Sequence, residues 1–355
     1  MDYKDYLARL MVKASQPNVS DFHFNVGLKP HVREDGFLQP IPEEPVVTPE
    51  IAENFVAALL TPDQQARFQK NLEIDFSYTH DKTRFRVNVY YERGFVAAAF
   101  RHIPEKIMTI EDMEMPPVLH NFSKLNQGFI LAVGPAGHGK SATLAALLDE
   151  INASRREHII TIEDPIEHIF VPKNSLISQR EVYSDTQDFH AALKTVLRQD
   201  PDVVMIGEMR DLESVSTALT AAETGHLVFS TLHTNSAAQT IDRIIDSFPP
   251  EKQNQAIIQL AATLAGIVSK RLIPKIGGGR VAAAEILIVN TAVRNLIRER
   301  KTHQLDLVIE TSLASGMISL NRSLAQLVKA KKITRENAEL YSLNPAELRV
   351  LIGKV

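Results

Sequence analysis

The chain contains no cysteine. Disulfides and thiolate zinc sites are therefore excluded, and the composition fits a reducing cytoplasm. Excess basic charge is missing as well: 39 Lys and Arg against 43 Asp and Glu leave a formal net charge of −4. Nucleic acid as the main partner would need a basic face, so this balance argues against it. No long apolar run is present either. The stretch Gln253 to Ser269 is free of charge over 17 residues but holds three glutamines and an asparagine, so it reads as a core helix and not as a membrane span. Any membrane association is expected to come through a partner. MDYKDYLARLMVKAS at the start carries Asp2 and Asp5 and no apolar core, which is no secretory signal; Leu7, Leu10 and Met11 have the spacing of an amphipathic helix. Repeats and low-complexity tracts are absent, and 355 residues suffice for two domains, each with its own core.

The pattern of residues changes along the chain. Residues 1–101 read as an α+β domain, with strands at DFHFNV (21–26) and RFRVNVYYE (84–92), where apolar and polar residues alternate. Thr48-Pro49-Glu50 and Thr61-Pro62-Asp63-Gln64 mark two helix starts, the second with a capping-box glutamine. Three prolines and irregular periodicity place a linker at 102–122. In residues 123–290, near-continuous apolar runs of strand length alternate with helical segments: GFILAVG (128–134), HIITIED (158–164), DVVMIGE (202–208), HLVFSTLH (226–233) and VAAAEILIV (281–289). Such alternation predicts a parallel sheet covered on both faces, the α/β class. Residues 291–355 read as helical, with a stripe of Leu320, Leu324, Leu327 and Val328 and a capping box at Asn344-Pro345-Ala346-Glu347.

GPAGHGKSA, residues 134–142, fits the phosphate-loop pattern and stands where it must, between a buried-strand run and a strong helix former. Gly134, Pro135, Ala136, Gly137, His138, Gly139, Lys140, Ser141 and Ala142 are thus the expected nucleotide-binding residues. Glycines let backbone N–H groups face phosphates, Lys140 reaches the β- and γ-phosphates, and Ser141 offers a hydroxyl to Mg²⁺. DPDVVMIGEMRD (200–211) delivers Glu208 at a strand end, where it can join the Mg²⁺ shell or polarise water. IITIEDPIEH (159–168) does the same with Glu163 and Asp164, one of which can act as general base. His226 and His233 bracket another strand and suggest a γ-phosphate sensor, against the ordinary structural role of a strand-end histidine. Arg84, Arg86 and Arg101 are either exposed strand residues or arginine fingers for a neighbouring subunit's nucleotide; their chemistry alone does not choose.

The order GPAGHGKS, IITIEDPIEH, DPDVVMIGEMRD, TAAETGHLVFSTLHTNSA resembles the secretion and type IV pilus ATPase superfamily, most closely its pilus retraction ATPases. The second motif corresponds to the family's aspartate box, the third to its Walker B box and the fourth to its histidine box. SDFHFNVGLKPHVREDGFL (20–38) resembles the PAS-like N-terminal domain, while AVRNLIRERKTHQ (292–304) and GMISLNRSLAQLVKAKKIT (316–334) extend the likeness to the C-terminal helices. The resemblance implies a RecA-like P-loop core, a homohexamer, and ATP held with Mg²⁺ between the N-terminal domain and that core. It implies Glu163 as catalytic base, Glu208 as Walker B acid, both near Mg²⁺ directly or through water, and His233 as γ-phosphate sensor. Arg86 and Arg101 become trans-acting phosphate ligands. ATP-driven movement would turn an inner-membrane platform protein of the pilus machinery, at the cytoplasmic face of the membrane, and withdraw pilin. The sequence departs from the family at Ala136, His138 and Ala142, where Thr, Ser and Thr are commoner, and at Arg300, where glycine is usual. Extension and secretion ATPases usually carry a further N-terminal domain and a four-cysteine zinc module, so the length and the lack of cysteine favour retraction. A nucleotide-binding regulatory paralogue and a RecA-like nucleic-acid translocase are the remaining alternatives.

Overall fold

Alternating apolar and polar residues build the first of two units in this computed structural model, which describes residues 2–353 except 17, 35 and 104. Pro104, one of the prolines read as marking the linker, and the last two residues of the C-terminal segment lie outside the described residues. This unit comprises the chain up to Lys106 together with Asp164–Ile169. Strands β1 (Val19–Phe24), β2 (His31–Glu34), β3 (Phe37–Pro40), β4 (Glu73–His80), β5 (Thr83–Glu92) and β6 (Phe95–Ile103) form an antiparallel sheet in the order β3-β2-β1-β6-β5-β4. Because side chains alternate across a strand, Phe85, Val87 and Val89 of β5 are buried while Arg84 and Arg86 occupy the other face. Helices Tyr3–Ala14 and Pro49–Leu59 contribute Leu7, Leu10, Met11 and Phe55 to the core, where Phe24 stacks on Phe55 with ring centroids 4.0 Å apart. Thr48 and Thr61 cap their helices as the sequence predicts, and Gln64 completes the capping box.

The second unit, Ile107–Glu163 and Phe170–Val355, is organised by apolar strands. β7 (Gly128–Val133), β8 (His158–Glu163), β9 (Leu176–Glu181), β10 (Val203–Ile206), β11 (Leu227–Leu232), β12 (Leu264–Pro274) and β13 (Arg280–Ile288) lie in the order β13-β12-β7-β11-β10-β8-β9. All neighbours are parallel except β13, which runs antiparallel to β12. β7, β10 and β11 are wholly buried, as strands covered on both faces must be. The helix Lys140–Ser154 packs Leu144, Leu147 and Leu148 on one face. Leu212–Glu223, Ala237–Asp246 and Pro250–Thr263 cover the other with Leu219, Ile241 and Leu260. The α/β class expected from the sequence is therefore the observed one.

Two local expectations are corrected. The run Gln253–Ser269 is not one helix: Pro250–Thr263 is helical, but from Leu264 the chain becomes β12. A charge-free run of this kind suits either state, and here pairing with both β7 and β13 decides for the strand. The capping box at residue 344 is half made. The Glu347 N–H donates to Asn344 Oδ1 at 3.3 Å, but the Glu347 carboxylate accepts from Asn321 Nδ2 at 2.6 Å instead of returning to the cap. Ile110, Met113, Met115, Leu119 and Phe122, in the stretch read as linker, pack into the core of the second unit. Among the described residues no helix is long and apolar enough to cross a membrane.

Candidate functional site

The phosphate loop follows β7 and ends at the helix starting with Lys140. Its glycines are required by geometry. Gly134 has φ +139°, and a Cβ there would run into the carbonyl oxygen of Lys270. Gly139 is left-handed at φ +76° and opens the helix. Lys140 is 7% exposed. Its ammonium donates to the carbonyls of Gly134 (2.9 Å) and Pro135 (3.1 Å) and lies 3.2 Å from His233 Nδ1. The carbonyls occupy the ammonium's donors as phosphate oxygens would. Ala136 and Gly137 are exposed at the loop tip, Ser141 is half-buried on the first helical turn, and Ala142 packs partly against the core.

His233 follows β11, and its Nε2 is 3.2 Å from Glu208 Oε1. A ring whose Nδ1 accepts from an ammonium carries its proton on Nε2, and so donates to the carboxylate. Lys140, His233 and Glu208 thus form one hydrogen-bonded line. Arg210 Nε donates to the other Glu208 oxygen at 3.0 Å. Glu163 ends β8 on the neighbouring strand, where the Gly207 N–H continues the ladder to the Ile162 carbonyl at 2.8 Å. It is 6% exposed and accepts from Thr161 Oγ1 (2.7 Å) and Gln179 Nε2 (3.3 Å). The loop, both acids and His233 therefore gather at the carboxyl ends of the parallel strands, the place where such sheets bind ligands. Asp164, the alternative to Glu163, groups with the first unit.

His226 is not brought to this cluster. It precedes β11, about 20 Å from His233 at a strand's rise of roughly 3.3 Å per residue. Its Nδ1 donates to the Ala221 carbonyl at 3.0 Å, closing the preceding helix. The arginines form a separate cluster within the first unit. Arg86 and Arg101 face each other across β5 and β6, a like-charge pair offset by acids. Arg86 is bound to Asp75 through Nε (3.1 Å) and a terminal nitrogen (2.5 Å), with Glu167 at 3.5 Å; Asp75 foremost holds its guanidinium above its ordinary pKa. Arg101 is 72% exposed and paired with Asp21 at 3.1 Å. Arg84 donates to Ser77 Oγ (2.6 Å) and the Ile166 carbonyl (3.2 Å).

Several contributors have no signal in the sequence. Thr161 and Gln179 orient Glu163 from within strands, and only the fold places them there. Arg210, two residues after Glu208, was within reach of local reasoning. His138 Nδ1 accepts the Leu272 N–H at 2.8 Å, and its ring lies 6.4 Å from that of Tyr341. Burial first, then Arg271, Arg280 and Lys140, push its pKa below the ordinary histidine value.

Comparison with known proteins identifies the family. The family model "Type II/IV secretion system protein" matches residues 65–299. The chain is 44% identical over 333 residues to the type IV pilus retraction ATPase PilT of Pseudomonas aeruginosa, covering 94% of this chain and 96% of that one. It is 36% identical over 348 residues to the type IV pilus ATPase PilU of the same organism, covering 98% and 90%. A crystal structure of the pilus retraction motor PilT with bound ADP superposes with a TM-score of 0.89 at 45% identity, over 97% of this chain and 98% of that one.

Proposed function

The chain belongs to the type II/IV secretion system protein family, and we propose that it acts there as an ATP-hydrolysing motor of type IV pilus retraction. One observation carries the reading: Lys140, His233 and Glu208, far apart in sequence, form one hydrogen-bonded line at the strand ends. When a triphosphate enters, Lys140 exchanges the Gly134 and Pro135 carbonyls for phosphate oxygens, which a preformed loop accepts without refolding. His233 then answers to the γ-phosphate and passes its position to Glu208. Glu163, held by Thr161 and Gln179, takes the proton of the attacking water. Ser141, Glu163 and Glu208 supply the hard oxygen donors that Mg²⁺ takes, directly or through water; when bound, the ion would screen the phosphate charge.

The motor is proposed to be a homohexamer in which Arg86 and Arg101, with Arg84 beside them, serve a neighbouring copy's nucleotide. Its output would pass to an inner-membrane platform protein of the pilus machinery, at the cytoplasmic face. Purified full-length protein is expected to hydrolyse ATP only with Mg²⁺. Lys140→Ala should abolish turnover, and Glu208→Gln should lower it by roughly 10²-fold or more while ADP binding persists. Wild-type turnover no greater than that of Lys140→Ala would replace the motor with a nucleotide-binding regulator. For direction, gene deletion should increase surface pili; loss of pili would overturn retraction in favour of extension.

A further inference from the structure

The floor of the phosphate loop is β12. The carbonyl of Lys270 lies against Gly134, its side chain lies under Gly139, and the Leu272 N–H donates to His138. Lys270 is only 2% exposed, so its charge does not reach out to solvent as a surface lysine's does. The ammonium is 3.1 Å from Thr143 Oγ1, 3.3 Å from the Gly139 carbonyl and 3.3 Å from Met113 Sδ. Among the described residues no carboxylate pairs with it. Glu285, the buried acid of the neighbouring strand, faces away: Lys270 is in register with Ala284, and Glu285 with Ser269, so the two charges lie on opposite faces of the sheet.

A neutral strut would not need this side chain. The Gly139 carbonyl already accepts the Thr143 N–H at 3.2 Å and the Thr143 hydroxyl at 3.0 Å. What lysine adds is a buried positive charge without a counter-charge, a costly arrangement. Desolvation alone drives its pKa from 10.5 down to about 8. A lowered folded-state value means that stability is lost as pH falls through that window, so the penalty is fully present at neutral pH. Ionisable groups perturbed by desolvation cluster at functional sites, and the groups directly above are those that the nucleotide-binding reading assigns to phosphate.

We propose that Lys270 is a second cation of the nucleotide site, a positioning residue whose ammonium acts through the Gly139 segment to set the loop's affinity for polyphosphate. The inference rests on the nucleotide-binding reading of the loop. Its test is ADP titration by calorimetry, with thermal unfolding of the nucleotide-free protein, for full-length wild type, Lys270→Met, Lys270→Gln and Lys140→Ala. Methionine keeps the length without charge or donor; glutamine restores a neutral donor. Both Lys270 variants should raise the ADP Kd by about tenfold, some 1.4 kcal/mol. They should also raise the unfolding midpoint by several degrees, and shift KM for ATP more than kcat. Affinity and midpoint falling together would assign Lys270 a structural role, as would full rescue of affinity by glutamine. Unchanged Kd in both variants, with binding lost in Lys140→Ala, would overturn this inference alone. Absence of ADP binding by wild type would instead overturn the reading beneath it. Should Lys270→Met fail to fold, Lys270→Gln decides by the same outcomes.

Discussion

His138 accepts the Leu272 N–H with the ring nitrogen that a proton would otherwise occupy. Its folded-state pKa lies below the ordinary 6.5, so its contribution is complete above the unfolded value and fades as pH falls through the lower one. His138→Ala should therefore cost about 1 kcal/mol at pH 8 and almost nothing in acid, as read by denaturant unfolding at pH 8 and pH 4.5. Glu285 has the opposite sign. Burial raises its pKa from 4.5 to about 7, although its carboxylate accepts the Ala237 N–H at 2.6 Å. Its contribution is present below 4.5 and lost as pH rises through 7. Glu285→Gln keeps an acceptor and should stabilise the protein at pH 8 by up to roughly 3 kcal/mol, with little change at pH 4. The places of the motif residues are legible because they follow from local spacing: Gly134, Lys140 and Glu208 each sit at a fixed offset from a strand end. Thr161, Gln179 and Lys270 are not, because each is defined by what packs against it.

Among the elements, β12 had the weakest signature and the largest consequence. No charge and only Thr263 among polar residues marks the helix–strand change at Leu264, so periodicity cannot place it. Gly266 can: it lies so close to Phe122 that a Cβ would overlap the ring. Gly266→Ala should cost 1–3 kcal/mol of unfolding free energy, about what overpacking costs elsewhere, measurable as a lower denaturation midpoint. Arg300 shows the reverse case. The backbone at Arg300 is left-handed at φ +55°, a conformation that glycine adopts without steric cost. Arg300→Gly should gain about 0.5–1 kcal/mol, a little less if the hydrogen bond from Arg300 to Gln253 at 2.6 Å contributes. The inner strands β7, β8, β10 and β11, by contrast, are legible within a residue or two because burial on both faces demands unbroken apolar sequence; β9, LISQRE at the sheet's edge and mostly half-buried, has no such run and is not.

For the whole molecule, the proposed ring makes a prediction that no single copy can. Arg101→Ala leaves the phosphate loop intact, and Lys140→Ala leaves the arginines intact. Each variant alone should be inactive, but mixed subunits should regain part of the ATPase rate, because some interfaces then join a working loop to a working arginine. No recovery on mixing would remove Arg101 from the chemistry of its neighbour. The change of composition near residue 100 made two units foreseeable. It gave no sign that a short segment beyond Glu163 would belong with the first, since hydrogen bonds such as that from Arg84 to the Ile166 carbonyl have no local pattern.

That segment bears on how the chain can be dissected. Asp164–Ile169 leaves the second unit and returns to it at Phe170, so a single cut between Lys106 and Ile107 does not yield two self-sufficient fragments. A piece beginning at Ile107 would carry six residues stripped of their hosts, among them Glu167 without Arg86. Limited proteolysis of such a piece should nick first within that stretch, and adding residues 1–106 as a separate polypeptide should protect it.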